Sequence, residues 1–147
     1  MGQLDFSQLP PVAENPDLAL QAVLLSCREI TPSKTPDKEW INKGVACLDS
    51  VDITTFIAVD GARVVATGGL DRSDPTDYEE ASIIDLAVAQ SRRYEGLGRG
   101  IVEMVEATAR QEGIKNLYAL STMYAHGFYN RLGFLRVTGV DYVKSLR

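Results

Sequence analysis

A turn rich in glycine and arginine separates a short apolar segment from an amphipathic one. Residues 83–88 are apolar except for Asp85, which predicts a buried strand, and the apolar positions between 101 and 109 have helical spacing. The turn between them contains Arg92, Arg93, Gly96 and Gly98. Backbone N–H groups at a helix N-terminus have no intrahelical partners, and the helix dipole adds partial positive charge there. Because glycine lets the backbone approach an anion closely, this turn predicts a phosphate-binding site.

The spacing of these glycines excludes two common nucleotide-binding loops. A dinucleotide fingerprint starting at Gly96 requires a third glycine at position 101, where the chain has Ile101. No Gly-Lys-Ser/Thr follows the glycines, as a triphosphate-binding loop would require. What remains is an Arg-x-x-Gly-x-Gly segment at residues 93–98, shortly after the Asp-Leu-Ala-Val of the predicted strand.

A second segment, residues 125–134, reads Ala-His-Gly-Phe-Tyr-Asn-Arg-Leu-Gly-Phe. Together with residues 93–98 it resembles the two acetyl-coenzyme A (acetyl-CoA) motifs of the GCN5-related N-acetyltransferase (GNAT) superfamily. The resemblance implies an α/β fold with a mixed, mostly antiparallel twisted sheet of six or seven strands, flanking helices and a V-shaped splay between the central strands. It also implies a single domain, 1–147, in which residues 52–147 form the coenzyme-binding core. Residues 1–50 fit the family only loosely and would supply helices on the acceptor side.

The resemblance assigns residues that contact the coenzyme. The pyrophosphate is expected on the loop and the start of the following helix, at Arg93, Tyr94, Glu95, Gly96, Leu97, Gly98 and Arg99. The pantetheine arm is expected to pair with the main chain of the strand, as an additional strand would, at Leu86, Ala87 and Val88. Asn130 either bonds the pantetheine or faces solvent.

The resemblance also implies catalytic groups. Tyr129 occupies the position where many relatives have a tyrosine facing the coenzyme sulfur, and a phenol there can protonate the departing thiolate. Its alternative is a core aromatic residue. Where histone-type members carry a catalytic glutamate this chain has Ser82, which is not a general base near neutral pH. Glu80 is the nearest carboxylate, and Asp85 is the second candidate because a carboxylate in an apolar strand must be hydrogen-bonded or functional. The single histidine, His126, is a further candidate base.

These features predict an N-acetyltransferase that moves an acetyl group from acetyl-CoA to a primary amine by direct attack, without a covalent enzyme intermediate. The acidic segment at residues 71–80 and the net charge of −5 at pH 7 favour a small cationic amine as acceptor. The same segment can also be a solvated connector. A different class remains open, namely a non-catalytic acetyl-CoA-binding sensor or interaction module.

Composition narrows the partners and the location. With 147 residues, 45% hydrophobic and 24% charged, the chain has the composition of one soluble globular domain. A sequence pI of about 4.9 disfavours nucleic acid and anionic membranes as partners. No apolar run approaches about 18 residues and no secretion signal is visible, so a cytoplasmic location is expected. Cys27, Cys47 and one histidine assemble no metal site, and both cysteines are expected to be at least half-buried. Family members often dimerise, so a homodimer is compatible with the resemblance.

Two helices are predicted before the coenzyme-binding core. The first covers residues 17–30, with Asn15 as N-cap and Pro16 at its first position. The second, weaker in pattern, covers residues 37–49, and its Trp40 is expected to pack in the core. The resemblance implies that the first helix and the segment after it wall the acceptor side of the site.

The remaining elements are mainly strands. Residues 53–59 and 64–68 predict a hairpin, and later strands are predicted at 116–121 and within 137–146, whereas residues 1–16 are expected to be a loose lead-in. Strict alternation in the central strand would place Ser82, Ile84, Leu86 and Val88 on one face and Ala81, Ile83, Asp85 and Ala87 on the other.

Overall fold

The computed structural model describes residues 3–73, 78–121 and 125–146, and of His126 only the backbone. Its strands are β1 Leu4–Gln8, β2 Ile53–Asp60, β3 Arg63–Asp71, β4 Glu80–Val88, β5 Asn116–Leu120, β6 Leu135–Thr138 and β7 Asp141–Ser145. Its α-helices are α1 Pro16–Ile30, α2 Lys38–Leu48, α3 Leu97–Gln111 and α4 His126–Arg131. A 3₁₀ turn, Gln90–Arg92, joins β4 to the loop before α3.

The strands form one seven-stranded sheet in the order β1-β2-β3-β4-β5-β7-β6. Neighbouring strands are antiparallel except β4 and β5, which are parallel. Parallel neighbours need a crossover connection, and α3 supplies it between these two strands. The predicted mixed, mostly antiparallel α/β fold is therefore confirmed.

The two parallel strands separate part of the way along β4. They pair from Glu80 with Asn116 to Ile83 with Ala119, and β4 then continues to Val88. Within the described part of the chain, no strand pairs with residues 84–88 on that side. The predicted splay between the central strands is thus present, and it leaves one main-chain edge of β4 open.

A β-bulge lies at the point of separation. Thr67 pairs with Ala87 and Gly69 pairs with Ile84, so that Gly68 of β3 faces two residues of β4, Asp85 and Leu86. Asp85 has φ +54°, in the left-handed region that aspartate tolerates better than most side chains do. The extra residue bends β4 and shifts its alternation by one position.

The strict alternation predicted for β4 is wrong beyond the bulge. Leu86 and Val88 pack with Ile83 on the side of α3, whereas Ala87 packs on the side of α1. An extra residue in one strand moves every later side chain to the opposite face. Ile83 and Ala87 therefore lie on opposite faces of the sheet, so the prediction that Asp85 shares one face with both of them is wrong.

Two hydrophobic clusters hold helices against opposite faces of the sheet. The larger cluster joins the sheet to α3 and includes the fully buried Leu97, Ile101, Val102 and Val105. The smaller cluster joins the other face to α1 through Ala22 and Leu25. A sheet with both faces apolar needs a helical layer on each side, and α1 and α3 supply these layers.

Local capping explains where α1 and α2 begin. The side chain of Asn15 accepts a hydrogen bond from the Leu18 backbone N–H at 3.1 Å, and Pro16 occupies the first turn, as predicted. The Asp37 side chain accepts from the Trp40 backbone N–H at 2.8 Å and caps α2 in the same way. None of the α2 residues is fully buried. The core position expected for Trp40 is therefore wrong, because its ring is only half-buried.

The first strand was not expected from the sequence. Residues 4–8, placed in a loose lead-in, form β1 and pair antiparallel with β2 at the edge of the sheet. Every residue of β1 is exposed, so the strand leaves little of the buried periodicity that identifies strands. The ring of Phe6 lies against Gly100 of α3, where an added Cβ would come within 2.5 Å of it.

The other predicted elements are present, with strand β3 longer than expected at Arg63–Asp71. Gly139, with φ +48°, lies in the turn between the last two strands. Across the described residues, the helices are too short or too polar for any of them to cross a bilayer.

Candidate active site

The loop before α3 presents backbone donors at a helix N-terminus. Gly96 adopts φ +82° as the N-cap, and no side chain caps the helix. The first helical hydrogen bond runs from Gly100 N–H to the Gly96 carbonyl at 3.0 Å. The amides of residues 97–99 precede that bond and have no acceptor within the helix. Such uncapped amides are the arrangement that binds phosphate, which supports the predicted pyrophosphate site.

The two sequence motifs meet at Gly98. A Cβ built on this residue would lie 3.3 Å from two ring atoms of Phe128 and 3.5 Å from a Val88 methyl group. Gly98 therefore joins three segments, namely the open end of β4, the start of α3 and helix α4. The absence of a side chain keeps the backbone accessible at this junction.

The other loop residues predicted to bind the coenzyme differ in their solvent exposure and in their contacts. Leu97 is only 2% exposed, so its backbone alone is available to a ligand. Tyr94 is fully exposed at φ +68°, an uncommon conformation for an aromatic residue. Arg99 bonds Glu103 at 3.0 Å on the exposed face of α3. The proposed contacts of these side chains with the coenzyme stay predictions.

Carboxylates orient the arginines beside the loop. Arg93 donates from its guanidinium to Glu29 of α1 at 2.9 Å. Arg92 donates to Asp60 at 2.6 Å and to Glu95 at 3.0 Å. Four arginines, Arg28, Arg63, Arg92 and Arg93, line a groove of about 820 Å³ next to the loop. The positive charge there favours an anionic ligand, although it is partly balanced by Glu29 and Asp60.

The open edge of β4 complements the loop. Ala87 and Val88 pair with Thr67 and Ala66 on the β3 side, while the side facing β5 diverges. Main-chain groups on an unpaired strand edge bind an extended chain that carries amides. An uncapped helix N-terminus, a glycine approach and an open strand edge together fit a long ligand with both phosphates and amide groups.

Asp85 faces a cavity on the opposite side of the splay. The cavity has a volume of about 180 Å³ and lies between α1, α2 and the sheet. The Ser26 hydroxyl of α1 donates to the Asp85 main-chain carbonyl at 3.2 Å, which ties the bulge to that helix. The structure thus places Asp85 both at the open edge of β4 and in the lining of this cavity.

The surroundings make Asp85 a stronger base than an ordinary aspartate. Burial among apolar groups removes solvation from the carboxylate and raises its pKa, and the nearby charge of Asp71 raises the pKa further. The side chain still has exposed surface because it borders an open cavity. A carboxylate with a raised pKa accepts a proton from an amine more readily.

The other carboxylate candidate lies elsewhere. Glu80 begins β4 at the closed end of the splay and accepts a hydrogen bond from the Tyr118 hydroxyl at 3.1 Å. It precedes Asp85 by five residues, which corresponds to about 16 Å along a strand. The structure does not bring the two carboxylates together, and Asp85 is the one beside the cavity.

Tyr129 lies in the core on the side of α3. It is 4% exposed, and its ring contacts Phe128, Phe134 and Tyr142 with centroid separations of 5.1, 5.4 and 5.7 Å. Burial raises the pKa of Tyr129 to about 12. A thiol has a pKa near about 8.5, so full proton transfer from this phenol to a thiolate is uphill. A neutral Tyr129 is better suited to donate a hydrogen bond to developing charge on sulfur.

Replacing Tyr129 with phenylalanine should lower turnover by about 10- to 100-fold and leave acetyl-CoA affinity nearly unchanged, since a hydrogen bond to a charged group stabilises by about 1.5–3 kcal/mol. The ring packing is retained, so the fold should persist. Steady-state kinetics and calorimetric titration with acetyl-CoA would separate the two quantities. Full activity in this variant would reject a role for the hydroxyl and leave Tyr129 as a core residue.

The remaining predicted site residues lie on α4 or outside the described part of the chain. Asn130 is exposed on α4, and its proposed contact with pantetheine stays a prediction. The side chain of His126 lies outside the described part of the chain. Tyr124, expected near the pocket, and residues 74–77 of the acidic segment also lie outside it.

Sequence reasoning missed part of the cavity wall. Ser26, Cys27, Trp40 and Cys47 line the cavity from α1 and α2. Cys27 is buried, and both desolvation and the charge of Asp85 raise the pKa of its thiol. Cys47 is exposed, so the expectation that both cysteines are at least half-buried is wrong for it. Helical periodicity identified both helices but not which residues face each other across the cavity.

Comparison with known proteins identifies the family. A model of the acetyltransferase (GNAT) family matches residues 19–134, which is most of the chain. No curated protein sequence matches. The similarity to solved structures lies in the fold, since the sequence identities are below one fifth.

Three solved structures illustrate the likeness. An aminoglycoside 6'-N-acetyltransferase complexed with coenzyme A has a TM-score of 0.81 at 17% identity, covering 97% of both chains. Tetrahymena GCN5 has a TM-score of 0.76 at 17% identity, covering 97% of this chain and 96% of its own. A GNAT acetyltransferase from Staphylococcus aureus Mu50 has a TM-score of 0.75 at 15% identity, covering 99% of this chain and 100% of its own. With the family model matching residues 19–134, the chain belongs to the acetyltransferase (GNAT) family, whose members use acetyl-CoA.

Proposed function

We propose that this protein is an N-acetyltransferase that transfers the acetyl group of acetyl-CoA to the nitrogen of a small cationic primary amine, within a ternary complex. The observation that carries the proposal is the position of Asp85. It stands at the bulge where the open edge of β4 adjoins the cavity between α1 and α2. A base at this junction can act on an amine in the cavity next to a thioester in the cleft.

The coenzyme would be held mainly by the main chain. The uncapped amides at the start of α3 would bind its pyrophosphate, and the open edge of β4 would pair with its pantetheine amides. Bound there, acetyl-CoA supplies an activated acetyl group as a thioester. Gly98 keeps the approach between Val88 and Phe128 free of a side chain.

Two side chains would then assist the reaction, one at the amine nitrogen and one at the departing sulfur. Asp85 accepts a proton from the ammonium, which frees the nitrogen lone pair to attack the thioester carbonyl carbon. The new C–N bond forms as the C–S bond breaks, and the nitrogen releases its second proton, which ends on the departing sulfur. Tyr129 donates a hydrogen bond towards that sulfur, and a main-chain N–H near Val88 holds the acetyl oxygen.

A free-thiol assay tests this proposal. The purified protein would be mixed with acetyl-CoA and a panel of primary amines, and release of the coenzyme thiol would be followed together with the mass of the product. We expect amine-dependent thiol release and a product heavier by one acetyl group. Binding of acetyl-CoA without release for any amine in the panel would contradict it and favour a coenzyme-binding sensor.

A further inference from the structure

We infer that the acceptor is a monoamine with one compact apolar body, of the arylalkylamine type, bound in the cavity between α1 and α2 with its nitrogen at Asp85. The inference rests on the proposed N-acetyltransferase function and names its substrate class. It is carried by the charge, the lining and the size of the cavity, each of which restricts the acceptor differently.

The cavity offers one charged group to a ligand. Among the described residues that line it, Asp85 alone carries a formal charge. The Asp85 carboxylate is partly desolvated at the cavity mouth, so it binds one ammonium group favourably because an ion pair replaces part of its lost hydration. A second ammonium in the same cavity would be buried without a partner, and an unpaired buried charge is costly. The charge distribution therefore favours a monoamine.

The rest of the lining is largely apolar. Ala22, Val23, Ile30, Leu48, Ile53 and Ile84 contribute much of the wall. Binding to an apolar surface of this kind is stabilised when a hydrocarbon group of the ligand is removed from water. The hydroxyl groups of the sugars in an aminoglycoside would lose water here without enough hydrogen-bond partners. A hydrocarbon body attached to the amine suits this wall better.

The volume sets the size of that body. A dry apolar cavity of about 150 Å³ is large enough to hold benzene. The cavity here is slightly larger, at about 180 Å³, which leaves room for a ring and a short linker to the nitrogen. An extended polyamine or a multi-ring sugar would have to leave the cavity through its mouth.

Trp40 adds an aromatic surface to the cavity wall. Its half-buried ring lines the cavity, and Lys34 Nζ lies 5.9 Å from the ring centroid. Aromatic rings gain free energy from packing on each other beyond simple burial, so a ring in the ligand would pack favourably against Trp40. Lys34 does not itself line the cavity, so Asp85 stays the one charged group that faces a ligand among the described lining residues.

Helix α2 offers a variant that fills the cavity and a matched control. Cys47 is exposed and lines the cavity, so Cys47→Phe would place a ring in the space assigned to the substrate. Ala46, its neighbour, is also exposed but does not line the cavity, so Ala46→Phe adds the same bulk outside it. Both variants should retain acetyl-CoA binding, which checks that each is folded.

The experiment measures both binding and turnover with 2-phenylethylamine as the probe. Binding is followed by calorimetric titration into protein saturated with coenzyme A, and turnover by thiol release with acetyl-CoA. Spermidine and a lysine-containing peptide serve as competing acceptors. We expect kcat/KM for 2-phenylethylamine to exceed that for spermidine and for the peptide by about tenfold or more, which corresponds to about 1.4 kcal/mol. Cys47→Phe should weaken 2-phenylethylamine binding by about tenfold, and Ala46→Phe should leave it within about twofold.

The outcomes separate the inference from the proposed function. Acetylation of spermidine or the peptide, with no binding of 2-phenylethylamine, would overturn the inference while the N-acetyltransferase function stands. Binding of 2-phenylethylamine that Cys47→Phe weakens, but without acetylation of any amine, would support the ligand class and overturn the proposed reaction. Equal loss in Cys47→Phe and Ala46→Phe would place the ligand outside this cavity and overturn the inference. If Cys47→Phe does not fold, the order of kcat/KM for the three acceptors on the unmodified protein still tests the inference, and a higher value for spermidine or the peptide overturns it.

Discussion

Replacing Gly98 with valine should weaken acetyl-CoA binding by about a hundredfold or more, equivalent to about 2.7 kcal/mol. A Cβ at this position already lies 3.3 Å from the Phe128 ring and 3.5 Å from Val88. The two further methyl carbons of valine would occupy the space between β4 and α4 and hold a ligand away from the α3 amides. Overpacking at this buried position should also lower the free energy of unfolding by about 1–3 kcal/mol.

Gly100→Val is the matched control for this substitution. It adds the same side chain to the same turn of α3, and its Cβ also meets an aromatic ring, that of Phe6 at 2.5 Å. Phe6 belongs to the exposed edge strand β1, which β2 and β3 separate from β4 in the sheet. We therefore expect Gly100→Val to lose stability but to keep its affinity for acetyl-CoA.

Calorimetric titration of both variants with acetyl-CoA would measure the loss of affinity, and urea unfolding would measure the loss of stability separately. Loss of affinity in Gly98→Val alone would place the coenzyme at the junction of the two motifs. Unchanged affinity in a folded Gly98→Val protein would contradict the assignment of the loop as the pyrophosphate site.

Asp85→Asn should lower turnover by about 10²–10⁴-fold, the usual contribution of a general base, with little change in acetyl-CoA affinity. Asparagine has nearly the same shape and tolerates the left-handed conformation that Asp85 adopts at φ +54°. The bulge and its hydrogen bond from Ser26 to the main chain should both persist. The loss is thus expected in the chemical step and not in the fold.

The pH dependence gives this variant a second readout. The rate of the unmodified enzyme should rise as Asp85 loses its proton, at a pH above the ordinary aspartate range because the folded-state pKa is raised. That rise should disappear in Asp85→Asn. Kinetics from pH 5 to 9, about two pH units either side of neutrality, would show whether it does.

Stability should move in the opposite direction to activity. The pKa of Asp85 is higher in the folded than in the unfolded protein, so the folded state binds more protons between the two values. The contribution of this group to stability therefore falls as pH rises from about 4 through the folded-state pKa, and an ionised Asp85 is destabilising at neutral pH. Asp85→Asn should be at least as stable as the unmodified protein in thermal unfolding at pH 7.

Glu80→Gln tests the competing assignment of the base. Glu80 accepts a hydrogen bond from Tyr118 at the closed end of the splay, away from the cavity. If turnover collapses in Glu80→Gln and survives in Asp85→Asn, the base has been assigned to the wrong carboxylate. A collapse confined to Asp85→Asn would assign it to the residue at the bulge.

Local features of the fold were predictable because they depend on neighbouring residues. The cap and first turn of α1, at Asn15 and Pro16, involve atoms within a few residues of one another, and they are present as predicted. The uncapped start of α3 follows from Gly96 and Gly98 in the same way. The family resemblance then supplied the mixed sheet and the splay, which no single segment specifies.

The exposed elements were harder to predict because they carry weak patterns. Strand β1 is exposed along its whole length, and it is ordered through hydrogen bonds to β2, some fifty residues later. Helix α2 has no fully buried residue, and the position of Trp40 depends on how α2 lies against α1 and β2. Periodicity reports burial on one face, so it says little where burial is slight.

The sequence by itself determined that a turn rich in glycine and arginine joins an apolar strand to a helix, and that a carboxylate interrupts that strand at Asp85. Only the tertiary structure decided where this carboxylate points. The bulge exists because Gly68 of β3 pairs opposite two residues of β4, which is a relation between strands and not within one. That pairing turned Asp85 towards the cavity between α1 and α2, because side-chain direction in a sheet follows register, and register is set by the partner strand.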